Sequence, residues 1–477
     1  MKPLPIILAI GFAILYGIFA NQNEGIDAWF YAASIKHQDQ IWQAHHLLFN
    51  AVQLCFWKCL CFIKLPIAPL RSIQLLNSLG AGLALYTVYA ILLQWGKSYK
   101  TALVSMSFVG ACFSMMRFAS SAETYILPIC FSLLATYYYG KQQNRPLLYL
   151  LLTGLLCSMS ILLHQVQIWW TLALLSTTLY ADGLTKKSLA FVLGLTLVPL
   201  SYALVAYFSN AWTLQSLVLG EYLNEHAHIH WSMNNLALTG INCIRSFIQI
   251  HGLIWTILEQ HAGIACIALP ALTAIGINSI KILKSTHKNK TETTKRPWIV
   301  IAIVLHILFA FVSDGNAEFL AMLPCLFVFY LVQHFDAPIS QSHTMLIIGL
   351  LTWNTVFGLW PNAFLNTQPI AQIINFIERA PQADYYLTQK PLIDNRLCEK
   401  FGFHHTYKLH PITAFDGIDS TSNNKAYTDY GYRMSKWSRA AWLDQKTQVF
   451  EHHTLQAVDS FESLYGENYL YQILPKQ

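Results

Sequence analysis

The sequence predicts an all-α polytopic membrane protein that carries a small α/β domain at its C-terminal end. Three observations predict it. Of 477 residues, 55% are apolar and 11% charged; a soluble domain carries roughly 25% charged residues, so this chain lacks the charge to cover a water-facing surface of its size. Apolar runs recur along most of the chain, each near the ~17–25 residues that a helix needs to cross a bilayer. From Pro361 onward no such run occurs, and short strand-like and helix-like patterns alternate at Asp384–Leu387, Pro391–Phe401 and Tyr469–Leu474.

Leu4–Ala20 opens the chain after Lys2 and lacks a small-x-small cleavage site, so it reads as an uncleaved anchor with a cytoplasmic N-terminus. Further spans are expected at Leu75–Trp95, Thr101–Met116, Thr124–Tyr139, Leu147–Leu163, Val166–Tyr180, Leu189–Phe208, Ala262–Leu283, Trp298–Val312, Phe319–Val332 and Met345–Trp360. The run Leu47–Ile63 decides the parity of the rest. Gln53 and Lys58 interrupt it and Lys64, Pro66 and Pro69 follow, which suits an amphipathic helix lying at the interface.

With that assignment the basic connectors Gly96–Lys100, Gly140–Arg145, Asp182–Lys187 and Lys284–Arg296 all face the cytoplasm, as the positive-inside rule requires. Counting Leu47–Ile63 as a span leaves the first two outside, although promoting Phe247–Leu258 to a span would rescue the later ones. The preferred topology has about 11 spans. It makes residues 1–361 a membrane module of a multi-pass plasma (inner) membrane protein and residues 362–477 an extracytoplasmic domain. The excess of six positive charges sits largely in those connectors, and nothing in the pattern points to nucleic acid. Eight of the ten cysteines lie in apolar segments and none forms a CxxC pair, so neither a disulfide framework nor a zinc knuckle is expected.

On this topology the outer face gathers Asn21–His46, Arg117–Glu123, His164–Gln165, Ser209–His261 and Asp314–Glu318. Glu24 and Asp27 lie in the first of these, Glu123 opens SAETYILPICF, His164 sits in LLHQVQIWW, and Glu318 opens NAEFLAMLPCL. Ionisable groups beside apolar segments are costly unless paired or facing a water-filled cavity. Any one of them reads as a snorkelling interfacial side chain. Several on one face read as a site. In Glu221–Trp231, His226, His228 and His230 would share a face on a strand, a spacing compatible with a metal, while His226 and His230 would align on a helix. No partner carboxylate is placed there, so a polar loop or a contact to donor phosphate or acceptor competes with metal binding.

The order of these features resembles the GT-C superfamily of membrane glycosyltransferases, near the protein O-mannosyltransferases and their bacterial relatives. Asp27 in GIDAWFYAA matches the acid of the family's first outer loop. His45-His46-Leu47-Leu48-Phe49-Asn50 matches the turn into a juxtamembrane helix, Glu123-Thr124-Tyr125 a later Glu-x-Tyr, and Glu318 to Pro324 a late acidic-to-proline segment. The match covers the membrane part. Two departures stand out: many relatives have two prolines after the first histidine, where this chain has His46 and Leu47, and some have an acidic pair where Asp27 stands alone.

The resemblance implies a GT-C-like fold with juxtamembrane helices in the first outer loop. It also implies transfer of a hexosyl or pentosyl group, with inversion, from a polyprenyl phosphate to the hydroxyl of a protein, glycan or lipid at the outer face, in cell-envelope glycosylation. Such chemistry needs a base for the acceptor hydroxyl, a task that suits a carboxylate in a partly desolvated cleft. Asp27 is the expected base, with Glu24 either its partner or simply solvated. The lipid phosphate gains charge as it leaves, and cations or donors aimed at it lower the barrier. His45, His46, Arg117 and His164 are candidates for that role, with Glu123 and Glu318 lining the donor or acceptor site.

No nucleotide loop is present, and none is needed by a donor without a nucleotide. Some relatives use a divalent cation and others do not, so the resemblance leaves a divalent cation as a possible cofactor and makes none certain. The competing classes are a transporter or flippase and a polymerase or ligase for lipid-linked glycans. A transporter would place its charges near the midplane and show internal repeats, neither of which is evident. The long loop Ser209–His261 favours the polymerase, and the early acid loop favours the GT-C reading.

Overall fold

In the computed structural model, residues 3–142, 145–209, 232–286, 296–335, 339–367, 369–412, 414, 425–429, 453–464 and 466–475 are described. They fall into two compact units. The first comprises Met1–Ala20, Gln40–Ile250 and Gly263–Leu359, and the second Asn21–Asp39, His251–Ala262 and Trp360–Gln477.

The first unit is helical. Its helices are α1 (Leu4–Ile18), α3 (Phe49–Phe62), α4 (Pro69–Gln94), α5 (Tyr99–Ala111), α6 (Phe113–Ser120), α7 (Ile126–Tyr139), α8 (Pro146–Leu163), α9 (Ile168–Asp182), α10 (Lys186–Leu195), α11 (Leu197–Ser209), α12 (Met233–Arg245), α14 (Ala265–Thr286), α15 (Pro297–Val312), α16 (Leu323–His334) and α17 (Gln341–Asn354). Proline near the first position starts α4, α8, α15 and α16, where its missing N–H costs nothing. Ser98 caps α5 by accepting from the Thr101 amide at 3.1 Å.

Among the described residues, six helices are long and apolar enough to cross a membrane, or seven if the bent pair α5–α6 counts as one. The chain is a multi-pass membrane protein. Small residues let its helices approach closely. A Cβ on Gly154 of α8 would lie 2.2 Å from the Phe191 carbonyl oxygen of α10, and Ser158 donates to the Gly194 carbonyl at 2.9 Å across the same contact.

Two elements differ in form from their sequence expectation. The run Thr101–Met116 is two helices bent by 61° at Cys112, whose ψ of 142° is extended. The amides freed there are not orphaned, since Phe113 N–H donates to the Phe247 carbonyl (3.1 Å) and Ser114 N–H to that of Ser246 (3.0 Å). Irregular backbone at such depth persists only when satisfied in this way. Helix α3 is the expected helix after the first loop, and it buries Phe49, Asn50 and Gln53 while Cys55, Cys59 and Phe62 are exposed. Asn50 and Gln53 thus face protein together with Phe49 and Leu60, while Lys58 is exposed.

The second unit contains α2 (Ile26–His37), α13 (Ile254–Gln260), α18 (Trp360–Phe364), α19 (Ile370–Arg379), α20 (Lys390–Phe401) and a five-stranded sheet. Its strands β1 (Asp384–Leu387), β2 (Lys408–Pro411), β3 (Ala426–Thr428), β4 (His453–Ser463) and β5 (Gly466–Pro475) lie in the order β2-β1-β3-β5-β4. Strand β1 pairs in parallel with β2 and β3, while β5 runs antiparallel to β3 and β4.

This is the α/β domain that the tail pattern predicts. Helix α19 presents Ile370, Ile373, Ile374 and Ile377 at helical spacing to a core that includes Tyr385, Leu397, Tyr427 and Leu470. The first-loop helix α2 belongs to this unit. Its face docks on α20, where Asn395 donates to the Ile26 carbonyl (3.0 Å), the Arg396 guanidinium lies 3.6 Å from the Trp29 ring centre, and Lys36 pairs with Glu399 (3.2 Å). Asn23 donates to the Asn362 and Leu365 carbonyls and accepts from the Thr367 amide, fixing the approach to α2.

Candidate functional site

In the first unit, three elements build a polar cleft: the start of α6, the end of α12, and the turn leading into the short 3-10 helix Ala317–Leu320. Phe113, Ser114, Arg117, Asn242, Arg245, Ser246, Asn316 and Glu318 line a cavity of ≈ 130 Å³. Each wall is fixed by backbone satisfaction. Ser114 Oγ donates to the Ala321 carbonyl (3.1 Å), Ser246 Oγ to that of Leu320 (3.2 Å), and Asn242 Nδ2 to that of Gly315 (2.7 Å). Asn354 of α17 donates to the Ala111 and Phe247 carbonyls and accepts from the Gln249 amide, bracing the bend at Cys112 against the segment after α12.

Gly315 is required where it stands. Its φ is +68°, and a Cβ would meet Leu238 Cβ at 2.6 Å.

Among the described residues the cleft holds two cations and one anion. Glu318 accepts from the Tyr125 hydroxyl at 2.6 Å, and its backbone amide donates to Asn316 Oδ1 at 3.0 Å. Arg245 donates to Gln249 Oε1 (3.2 Å) and lies over the Phe113 ring. Among the described residues the Arg117 guanidinium has no hydrogen-bonded or ionic partner, and it sits 5.8 Å from the Phe118 ring centre. Neither arginine comes within salt-bridge distance of Glu318. Burial pushes the Arg245 guanidinium down to about 9, with the Arg117 charge adding and Glu318 opposing. A guanidinium remains cationic at neutral pH even so, so the described residues give the cleft net positive charge.

A second group adjoins this one through Tyr125, whose ring centre is 4.9 Å from that of His164. His164 stands 5.4 Å from His46, and His46 5.9 Å from His45. The turn holding the two early histidines is pinned to the end of α8, with Leu48 N–H donating to the Leu162 carbonyl (2.9 Å) and both Gln165 Nε2 and the Tyr202 hydroxyl donating to the Ala44 carbonyl.

His164 Nδ1 accepts from the Val166 amide at 3.2 Å, so the neutral ring carries its proton on Nε2. Burial pushes His164 down to about 3, with His45 adding, and the same causes with His164 hold His46 well below its ordinary value. Both rings are neutral hydrogen-bonding groups at physiological pH.

Of the residues singled out from sequence, His45, His46, His164, Tyr125, Glu318 and Arg117 thus come together in the first unit. Glu123 does not line the Arg117 cleft. Its backbone carbonyl accepts from Asn77 of α4 at 2.7 Å, which shapes the turn that presents Tyr125. Asp27 and Glu24 belong to the second unit. Asp27 is exposed in the first turn of α2, and Glu24 is buried with Oε2 accepting from Asn21 at 3.0 Å. His226, His228 and His230 lie outside the described residues. Sequence reasoning missed Arg245. Its available signal was that it is the only lysine or arginine in Ser209–His261.

No family model matches the chain, and no curated protein matches it. Solved structures do. ArnT from Cupriavidus metallidurans in the apo state aligns at TM-score 0.52 and 11% identity over 98% of this chain and 97% of its own. The Archaeoglobus fulgidus oligosaccharyltransferase in complex with Zn and sulfate aligns at 0.52 and 11% over 98% of this chain and 72% of its own. The arabinofuranosyltransferase AftD from Mycobacteria aligns at 0.52 and 10% over 100% of this chain and 40% of its own. Likenesses that span nearly the whole chain, with the helical unit and the α/β unit both included, show that this protein shares the fold of these three structures.

Proposed function

We propose that this protein is a membrane glycosyltransferase that takes a sugar from a polyprenyl-phosphate donor and moves it to an acceptor hydroxyl at the outer face of the plasma (inner) membrane. The observation that carries the reading is the Arg117–Arg245 pair. Two guanidiniums in one cleft, neither within ion-pairing distance of a carboxylate among the described residues, suit a phosphate that the protein itself does not supply. The GT-C fold adds to it, because the named neighbours include an oligosaccharyltransferase and an arabinofuranosyltransferase.

In the proposed reaction the acceptor oxygen bonds to the anomeric carbon as the bond from that carbon to the phosphate oxygen breaks, with inversion. The acceptor proton passes to the Asp27 carboxylate, the base assigned from the family resemblance. The bonding pair leaves with the lipid phosphate, whose growing charge Arg117 and Arg245 stabilise in a low-dielectric cleft. Glu318, held by Tyr125, helps to keep Arg245 cationic. Neutral His164 offers its Nε2–H as a donor without adding charge.

The test is transfer from a synthetic polyprenyl-phosphate sugar in membranes, comparing the parent with Arg245→Gln and Asp27→Asn at matched expression and insertion. Arg245→Gln should raise the donor KM at least about tenfold, the loss of one charged hydrogen bond, and Asp27→Asn should abolish turnover while donor binding persists. Near-parental donor KM in Arg245→Gln would overturn the phosphate role. Near-parental transfer by Asp27→Asn would overturn the base.

A further inference from the structure

Helix α20 places Asp394 and Cys398 four residues apart, on one face. The helix ends at Gly402, whose φ of +93° and 2.8 Å bond from its amide to the Cys398 carbonyl turn the chain back along that face. The turn brings His405 home, with Nε2 3.0 Å from Asp394 Oδ1. One ligand atom from each of Asp394, Cys398 and His405 lies within 4.8 Å of the others, the metal-capable group of three found among the described residues.

Proximity alone is weak, but a second observation points to a ligand. The His405 side chain is only 7% exposed, and its ring faces Asp394, 3.0 Å from Nε2, and the Cys398 thiol together, though neither ring nitrogen makes a hydrogen bond that meets strict geometry. A buried imidazole held between a carboxylate and a thiol is arranged as ligands are arranged around a shared centre.

We propose that Asp394, Cys398 and His405 bind one divalent transition-metal ion of the zinc class. Imidazole nitrogen, thiolate sulfur and carboxylate oxygen together are a zinc-type donor set. Tetrahedral zinc would hold the three atoms roughly 3.3–3.8 Å apart, a spacing within reach of a group whose ligand atoms all lie within 4.8 Å of one another. Asp394, 35% exposed at its side chain, leaves the fourth position open to water. Binding replaces the thiol proton, and any proton on His405, with the metal.

The consequence is positional. Asn395, Arg396 and Glu399 lie between or beside the ligands and are the residues on which α2 docks. A metal that fixes this end of α20 therefore also fixes the seat of the helix carrying Asp27.

The test uses full-length protein in detergent, stripped with chelator and titrated with Co²⁺. One equivalent should give tetrahedral ligand-field bands and a near-ultraviolet thiolate-to-cobalt band, both removed by Zn²⁺. Cys398→Ser should lose the thiolate band, and Asp394→Asn should bind at least about tenfold more weakly, the lower range seen on losing even an outer-shell partner. His226, His228 and His230 carry no sulfur and cannot produce that band. If Cys398→Ser does not fold, alkylation of the parent reads the same contact, since Zn²⁺ should slow labelling of Cys398 by about tenfold or more, as a metal-held thiolate is withdrawn from attack. Absence of a thiolate band in the parent, its persistence in Cys398→Ser, or labelling of Cys398 unaffected by Zn²⁺ would overturn the site.

Discussion

The Tyr125 hydroxyl donates to Oε2 of Glu318 at 2.6 Å, joining two turns 193 residues apart in sequence. The bond makes one assembly of the histidine group and the arginine cleft, because Tyr125 touches His164 on one side and Glu318 on the other. Tyr125→Phe keeps the ring contact and removes the donor. A hydrogen bond to a charged group contributes about 1.5–3 kcal/mol. The variant should therefore lose that much stability, read as a lower thermal midpoint in detergent, and its transfer rate should fall as Glu318 loses its fixed position.

Arg117 behaves differently, because no residue of the described protein compensates its charge. Arg117→Gln should leave stability unchanged or raise it by up to ~1 kcal/mol, as relief of an unpaired functional charge commonly does. Donor affinity should drop about 10- to 100-fold, the equivalent of one or two lost charged hydrogen bonds. Thermal midpoint and donor KM, measured on the same preparation, separate the two effects. A variant that unfolds without losing affinity would make Arg117 a structural residue.

His164 predicts the direction of the pH response. Its folded value lies at about 3, below the ordinary 6.5, so the unfolded chain binds the extra proton across that interval. Stability from the neutral ring is complete above about pH 6.5 and is lost as pH falls toward 3, at up to ~1.4 kcal/mol per pH unit. The thermal midpoint of the parent should decline from about pH 7 to about pH 5, within that interval. His164→Gln, which cannot take up the proton, should decline less steeply. His46, shifted in the same direction, contributes a further part of the slope that His46→Gln would remove.

Gly315→Ala tests the backbone under the cleft. At φ +68° an alanine costs roughly 1–2 kcal/mol before any clash, and its methyl would press on Leu238 and on the Thr239 amide. The turn should shift away from α12, weakening the Asn242 bond to the Gly315 carbonyl. Expected are a lowered thermal midpoint and a raised donor KM. The neighbouring substitution Asp314→Asn should be milder on both measures, because it leaves Gly315 in place and asparagine tolerates the φ of +56° found there.

Much of this was legible in the sequence, for a physical reason. Arg117, His164 and Glu318 border apolar segments, where a charge or imidazole is conspicuous because the bilayer makes it costly. The tail declared itself by short alternating patterns, and β1, α20 and β5 lie where those patterns fall. Arg245 was hidden because α12 is too short and too polar to read as a span, so its end looked like loop. Helix α2 was hidden for a related reason. Its buried residues are mainly small ones, Ala28, Ala32, Ala33 and Ser34 with Tyr31 and Ile35, and the surface they fit against arrives more than three hundred residues later with α20. The grouping of Asp394 and Cys398 with His405 depends on how the chain reverses after Gly402, which spacing does not reveal.

The amide of Asn354 bears on the order in which the protein is made. It joins carbonyls of Ala111 and Phe247 to the amide of Gln249, so the bend that aims Arg117 is locked only by a residue synthesised long after it. During translation Arg117 enters the membrane before Arg245, Glu318 and Asn354 exist, and the cleft has no early intermediate form. A ribosome stalled, or a chain truncated, before Asn354 would leave an inserted protein with its earlier spans in place and its arginine cleft unbraced. Assembly of the site thus comes near the end of membrane insertion.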